Sequence, residues 1–190
     1  EAALRMADGC SVITYELEHI DAAIVEALLP RIPVRPGLTP LRVTQDRLAE
    51  RRFVEANGVP VAPWREVIVG DTPALERAAA VLGLPLRMKA AFGGYDGRSQ
   101  IRVSTIDEVH HAWALLGAQP GIPVLVESEL AFDSELSVVC ARSVTGTTQP
   151  FPPASNRHAG GILAESVLPA QVPDAVAREA QAIAIHLANA

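Results

Sequence analysis

MKAAFGGYDGRSQ, running from Met88 to Gln100, carries the one lysine of the chain, Lys89, four residues ahead of a glycine-rich run. With sixteen Lys+Arg in all, every other basic residue is arginine. A compact ammonium on a flexible stem acts as a point charge and suits a phosphate oxygen, whereas guanidinium is a planar fork. Leu84 to Ala90 reads as a strand, with Arg87 on the same face as Lys89 by the two-residue period. Asp96-Gly97 between strand-like runs is a strong hairpin signal. That reading stands beside a second one, in which the loop holds an anion. Gly93, Gly94 and Gly97 exceed what a two-residue turn needs, and they expose backbone amides in a concave arrangement that attracts negative charge. Lys89 and Arg98 bracket the loop with positive charge. The Walker pattern and G-x-G-x-x-G are both absent, so neither a P-loop nor a dinucleotide fingerprint is present.

Working outward, Trp64 to Val69 is β-rich. Thr72-Pro73 supplies a cap and a first-turn proline before Leu75, Ala79 and Leu82, and Gly83 ends that helix. On the other side Gln100 to Val103 is a strand, and Thr105 with Glu108 forms a capping box for a helix through Trp113 to Leu116. Val124 to Val126 and Glu135 to Cys140 are further strands. Strand-helix-strand, tight loop, strand-helix-strand is the order of a small lobe of the α/β (α+β) class. A single helix is expected from Thr44 to Ala56, with Ala49, Phe53 and Ala56 inward and Asn57-Gly58 ending it. Pro30, Pro33, Pro36, Gly37 and Pro40 read as a connector at a domain boundary. Before it come a helix-like stretch, Ala2 to Met6, and a strand, Ser11 to Tyr15. The far end is a helix opened by Pro173-Asp174, with Val176, Ala180, Ile183 and Leu187 on one face. Both ends run straight into structure, so the expectation is an interior piece of a longer protein. Residues 1–40 would close one domain and its linker, and 41–190 would form most of another, with a small lobe at about 65–127.

The bulk properties bound the function. Forty-nine per cent hydrophobic and twenty per cent charged residues describe a folded chain, and a net charge of −6 argues against a nucleic-acid surface. No apolar run approaches the roughly twenty residues that span a bilayer, and the start lacks a secretory pattern. Cys10 and Cys140 have no metal-ligand spacing, and buried free thiols in a reducing cytoplasm are expected.

Beyond the glycine loop, Val124 to Leu130 passes from a buried strand into an acidic, exposed stretch, where backbone N–H and C=O groups can read an adenine edge. Glu127 and Glu129 fall on one face if the strand continues. Paired carboxylates also suit acid-base work or a metal, and a solvated strand end explains Glu129 equally well. Glu135, heading the next strand, is placed to accept both hydroxyls of a ribose. Of the five histidines, His19, His110, His111 and His186 are explained as surface or satisfied positions. His158 lies in Asn156-Arg157-His158-Ala159-Gly160-Gly161-Ile162-Leu163, which reads as a polar glycine-bearing loop of the kind that carries function.

Laid in order, VITYELEHID (Val12 to Asp21), QDRLAERRF (Gln45 to Phe53), GVPVAPW (Gly58 to Trp64), MKAAFGGYDGRSQ, LVESELAFDSELSVV (Leu125 to Val139) and NRHAGGILAESVLPA (Asn156 to Ala170) resemble the ATP-grasp ligases. Within them they are most similar to the 5-(carboxyamino)imidazole ribonucleotide synthase branch of purine biosynthesis. The resemblance covers most of the chain and implies an ATP-grasp fold, incomplete and preceded by a remnant of an α/β domain. It implies an ATP-dependent carbon-nitrogen ligase that carboxylates aminoimidazole ribonucleotide with bicarbonate through carboxyphosphate. Arg47 and Lys89 would contact ATP phosphates, and the loop Gly94, Tyr95, Asp96, Gly97, Arg98, Ser99 and Gln100 would cover the nucleotide. Glu127, Ser128, Glu129 and Leu130 would line the adenine, Glu135 would hold the ribose, and His158 would complete the pocket. Tyr15 and Glu16 would lie near the substrate. Mg²⁺ is implied as well, with ligands expected after Ala190, together with a homodimer, a cytoplasmic setting, and no nucleic-acid or membrane partner. The chain departs from the family at Ala90 and Ala91, where polar or basic residues are usual, and at Ser99, where glycine is. Alternatives are a nucleotide-binding fragment without turnover and a sister enzyme acting on another purine intermediate, such as glycinamide ribonucleotide.

Overall fold

A computed structural model of the chain describes residues 1–92, 100–116 and 119–190, apart from the side chain of residue 110. The first cluster of elements is α1 (Ala2–Ala7), β1 (Ile13–Thr14), α2 (Ala22–Leu28), β2 (Val34–Arg35) and α3 (Leu38–Gln45). β1 and β2 pair in parallel, Ile13 with Val34. Ala7, Val25, Leu28, Ile32, Val34 and Leu41 close a small core around them. The proline-rich stretch is thus not an open connector, because it contains β2 and the start of α3. Pro40 fits in the first turn of α3, where backbone N–H groups have no intrahelical partner to lose.

The single helix expected from Thr44 to Ala56 is two, α3 and α4 (Arg47–Ala56). Asp46 breaks them apart. Its backbone is extended (φ −123, ψ 112), its carboxylate accepts the Leu48 N–H at 2.8 Å, and its backbone bridges Phe92. Leu48 is the buried residue of α4; Ala56, expected inward, is exposed. Asn57 and Gly58 (φ +72) end this helix as expected.

β3 (Trp64–Ile68), α5 (Thr72–Leu82), β4 (Leu86–Ala90), β5 (Gln100–Val103), α6 (Ile106–Leu116) and β6 (Pro123–Ser128) form the next unit. Its four-stranded sheet has the order β3-β6-β4-β5, antiparallel throughout. α5 and α6 cover one face. Leu75, Ala78, Ala79, Leu86, Met88, Val103, Val109, Ala112, Val124 and Val126 pack there, each fully buried aliphatic side chain contributing about 1.5–3 kcal/mol. On the opposite face Leu125 packs with Leu48, Ala91 and Trp64. β6 is therefore buried on both sides, and alternation carries Glu127 inward with Leu125, correcting the expectation that the acidic stretch is exposed from Glu127 onward. The cap of α5 is Asp71, whose carboxylate accepts the Ala74 N–H at 2.9 Å. Thr72, expected in that role, instead accepts the Trp113 indole N–H and ties α6 to α5. At α6 the Glu108 N–H donates to Thr105 Oγ1, while the Glu108 carboxylate accepts the Ser104 N–H, one residue earlier than a capping box requires.

The remainder holds β7 (Glu135–Ser137), β8 (Cys140–Arg142), β9 (Thr148–Pro150), β10 (Ala154–Ala159), β11 (Ile162–Val167) and α7 (Asp174–Asn189). The strand expected from Glu135 to Cys140 is divided between two sheets: β7 joins β10 and β11, and β8 pairs with β9. The region containing His158 is a hairpin, not a loop: β10 and β11 pair across Gly160 and Gly161. α7 docks against β8 and β9, where Asn189 accepts bonds from Arg142 and Thr148, and the His186 ring N–H donates to the Asn57 carbonyl at 2.8 Å. Cys10 is exposed and Cys140 half-buried, correcting the expectation of buried thiols; both are free. No helix among the described residues is long and apolar enough to cross a membrane.

Candidate functional site

Lys89 reaches its place because β4 alternates. Leu86 and Met88 turn into the helix-covered core, and Arg87 and Lys89 turn to the other face. The strand is held on both sides, Lys89 lying opposite Gln100 of β5 and Leu125 of β6. From there the Lys89 ammonium reaches Glu127 Oε1 at 2.5 Å. The other oxygen, Oε2, accepts from Arg51 Nη2 of α4, also at 2.5 Å. Glu127 is 8% exposed at its side chain, against 24% for Lys89 and 22% for Arg51. Two cations share one buried carboxylate, so this trio carries a net charge of +1 in a half-buried setting that favours an anionic ligand.

Beyond the end of β6 a second cluster takes up Glu129. Arg87 donates to one of its oxygens at 2.7 Å and Arg102 to the other at 2.8 Å. The hydrogen bond from Arg102 holds the Glu129 carboxyl below the usual carboxylate range, partial desolvation opposes it, and Arg87 adds to the lowering. Glu129 is accordingly not a solvated strand end, and it does not pair with Glu127. Each carboxylate has its own cations, which removes the acid-base pair as a reading of these two. The Ser128 and Glu129 N–H groups donate to the Pro63 and Pro85 carbonyls, so these two amides are committed within the protein. Leu130 follows with an exposed side chain.

Arg47 opens α4 just after the Asp46 break. Its backbone N–H donates to the Ala91 carbonyl at 2.9 Å, and its guanidinium to the Ala90 carbonyl at 2.7 Å. These bonds attach α4 to the chain immediately after Lys89. Arg47 and Ala91 line a cavity of about 530 Å³ together with Tyr15, Glu16 and Gln45. Tyr15 donates to the Gly37 carbonyl at 2.8 Å, and partial burial pushes its phenol above the ordinary value, so it stays neutral at physiological pH. The Gln45 side-chain amide donates to the Glu18 and Ile20 carbonyls, fixing the turn that follows Glu16.

Glu135 and His158 meet across β7 and β10. Asn156 lies opposite Glu135, and a register shift between Arg157 and His158 re-aims the histidine. His158 Nδ1 stands 3.2 Å from Glu135 Oε1, with both side chains about two-fifths exposed. The structure therefore gathers three groupings of the expected residues: Lys89 with Glu127, Arg47 with Tyr15 and Glu16, and Glu135 with His158. Gln100 begins β5 beside Lys89. Gly94, Tyr95, Asp96, Gly97, Arg98 and Ser99 lie outside the described residues. Sequence reasoning missed Arg51 and Gln45. The helical spacing of Arg47 and Arg51, one turn apart on α4, was the signal for the first. No comparable sequence signal marks Gln45. Among the described residues no group of three or more His, Cys, Asp or Glu is placed to hold a metal ion.

Residues 52–190 match the ATP-grasp domain family. An N5-carboxyaminoimidazole ribonucleotide synthase of Brucella melitensis is 34% identical over 192 residues, covering 100% of this chain and 52% of that protein. The enzyme of the same name from Bacillus subtilis is 35% identical over 189 residues, covering 100% and 48%. A solved N5-carboxyaminoimidazole ribonucleotide synthetase in complex with ADP superposes with a TM-score of 0.90 at 34% identity, covering 99% of this chain and 48% of that one. The chain thus spans about half the length of the relatives it matches.

Proposed function

The chain belongs to the ATP-grasp domain family, and on that premise we propose that it carries the nucleotide and substrate pockets of a ligase that carboxylates 5-aminoimidazole ribonucleotide. In this reading ATP phosphorylates bicarbonate to carboxyphosphate and becomes ADP. The substrate amine then attacks the carboxyl carbon, loses its proton and expels phosphate, giving the N5-carboxyamino product. The observation that carries the reading is the cavity shared by Tyr15, Glu16, Arg47 and Ala91. Tyr15 and Glu16, assigned to the ribonucleotide, share it with Arg47, one of the two residues assigned to phosphate, which supports transfer of a short-lived intermediate between them.

Lys89 and Arg47 supply positive charge to the phosphates, and the surplus charge of the Lys89–Glu127–Arg51 trio fits a polyphosphate. The Glu135 carboxylate accepts the ribose hydroxyls, with His158 beside it. We assign the adenine edge to the end of the Glu127 to Leu130 segment, at the backbone of Leu130, because the amides before it are engaged within the protein. Tyr15 and Glu16 orient the ribonucleotide. Mg²⁺ accompanies ATP in this scheme, but the described residues do not fit a metal site, so no step is routed through it. We extend the reading to residues 1–40 as the end of a preceding domain, to 41–190 as most of the ATP-grasp domain, and to a homodimer working in the cytoplasm.

The test is ADP release by the intact protein with ATP, bicarbonate and aminoimidazole ribonucleotide. ADP formation that depends on all three substrates is expected. ADP formation driven by glycinamide ribonucleotide would move the assignment to a sister enzyme, and nucleotide binding without turnover would reduce it to a binding module.

A further inference from the structure

In the scheme above Arg51 counts only toward the charge of the trio, yet it holds one of the two oxygens of the only buried ionisable side chain among the described residues. We propose that Arg51 is a positioning residue that keeps Glu127 paired when Lys89 turns from that carboxylate to an incoming phosphate. The inference rests on the nucleotide reading and says how the phosphate-binding lysine is made available.

The difficulty it resolves is physical. Lys89 lies 2.5 Å from Glu127 Oε1, and turning its ammonium and its donors toward a phosphate loosens that pairing. Were Lys89 the sole partner, its departure would strand an ionised carboxylate whose side chain is 8% exposed, the situation that makes breaking a buried pair costly. The carboxylate would then hold the lysine back. Arg51 occupies Oε2, so the departure leaves one charge-assisted hydrogen bond in place.

The two cations suit the two parts. Lys89 has a flexible four-carbon stem on a strand pinned between β5 and β6, so its ammonium can swing while its backbone stays fixed. Arg51 projects from α4, which is anchored by Leu48 in contact with Leu125 and Ala91 and by the Arg47 bonds to Ala90 and Ala91. Guanidinium also keeps its charge at any working pH.

The test is equilibrium binding of ATP and of adenosine, which lacks phosphates, to the intact protein and to Arg51→Met, Arg51→Lys and the double variant Arg51→Met/Glu127→Gln. Arg51→Met is expected to weaken ATP at least tenfold and adenosine less than threefold, because Lys89 becomes locked on Glu127. Arg51→Lys should restore ATP to within threefold of the parent. In the double variant the neutral amide releases Lys89, and ATP affinity should recover at least fivefold over Arg51→Met. Unchanged ATP binding in Arg51→Met overturns the proposal, as do equal losses for ATP and adenosine. Failure of Glu127→Gln to rescue also overturns it, since Arg51 would then touch the nucleotide itself. If Arg51→Met does not fold, Arg51→Gln, alone and combined with Glu127→Gln, takes its place under the same limits. Absence of ATP binding in the parent protein removes the nucleotide reading as well, whereas ATP binding indifferent to Arg51 removes this inference alone.

Discussion

The four-stranded sheet with α5 and α6 and the segment from Glu135 to Asn189 both carry proposed nucleotide contacts, but they hold them in different ways. In the first, four consecutive β6 residues, Val124 to Glu127, are buried, and the charged one is clamped between Lys89 and Arg51. In the second, β11 is exposed at every position and α7 buries no residue. Glu135 and His158 contact each other there from half-exposed strands. The lesson is that a carboxylate's energetic weight follows its surroundings more than its identity. Glu127 is part of the packing of its lobe, while Glu135 is held in place by little besides the strand it stands on.

The comparison breaks most readily at the core. Leu86→Ala removes a fully buried side chain and should cost about 2–5 kcal/mol, whereas Val176→Ala on α7 should stay within about 0.5 kcal/mol. Similar urea midpoint shifts for the two would erase the distinction. Next in size, Glu127→Ala leaves two cations without their carboxylate. Because both are about a fifth exposed, the loss should fall near the low end of the buried-pair range, about 3 kcal/mol. Glu135→Ala should lose less than about 1 kcal/mol, and thermal melts of the two variants give the answer.

Function sharpens the contrast further. Lys89→Ala should weaken ATP binding or turnover at least tenfold, as removal of a charge-assisted contact worth about 1.5–3 kcal/mol implies. Glu135→Gln should raise the KM for ATP more than that for bicarbonate, and equal changes would undo its ribose role. The smallest effect concerns pH. The Glu129 carboxyl is held below its ordinary value, so its contribution is present above the unfolded pKa and is lost as pH falls through the folded one. Glu129→Gln should therefore reduce the acid loss of stability while leaving the response between pH 6 and pH 8 unaltered. An unchanged acid limb in urea titrations would show that the two arginines contribute nothing there.

Much of the small lobe was legible in the chain because its signals are local. Gly83, the Thr105 to Glu108 spacing and the alternation around Lys89 each act within a few residues. Errors arose where a distant partner decided. Asp46 reads as a helix residue until its backbone bridges Phe92. Thr72 is as good a cap as Asp71 until the Trp113 indole claims its hydroxyl. The histidine segment looks like a loop because its polar, half-exposed strands have no apolar alternation to betray them. At the candidate site, residue type pointed to Lys89, Glu127 and Glu135, but their partners were not readable.

The sequence alone determined which residues offer charge and, for Lys89 and Glu135, that a strand carries them, since propensity, capping and alternation are properties of neighbouring residues. Tertiary structure decided the pairings. That Lys89 and Arg51 divide the two oxygens of Glu127, that Glu129 belongs to Arg87 and Arg102, and that Tyr15 shares a cavity with Arg47 depend on antiparallel register and helix docking. These bring together groups far apart in the chain, and a Coulomb interaction is set by separation in space and local dielectric, not by distance along the chain.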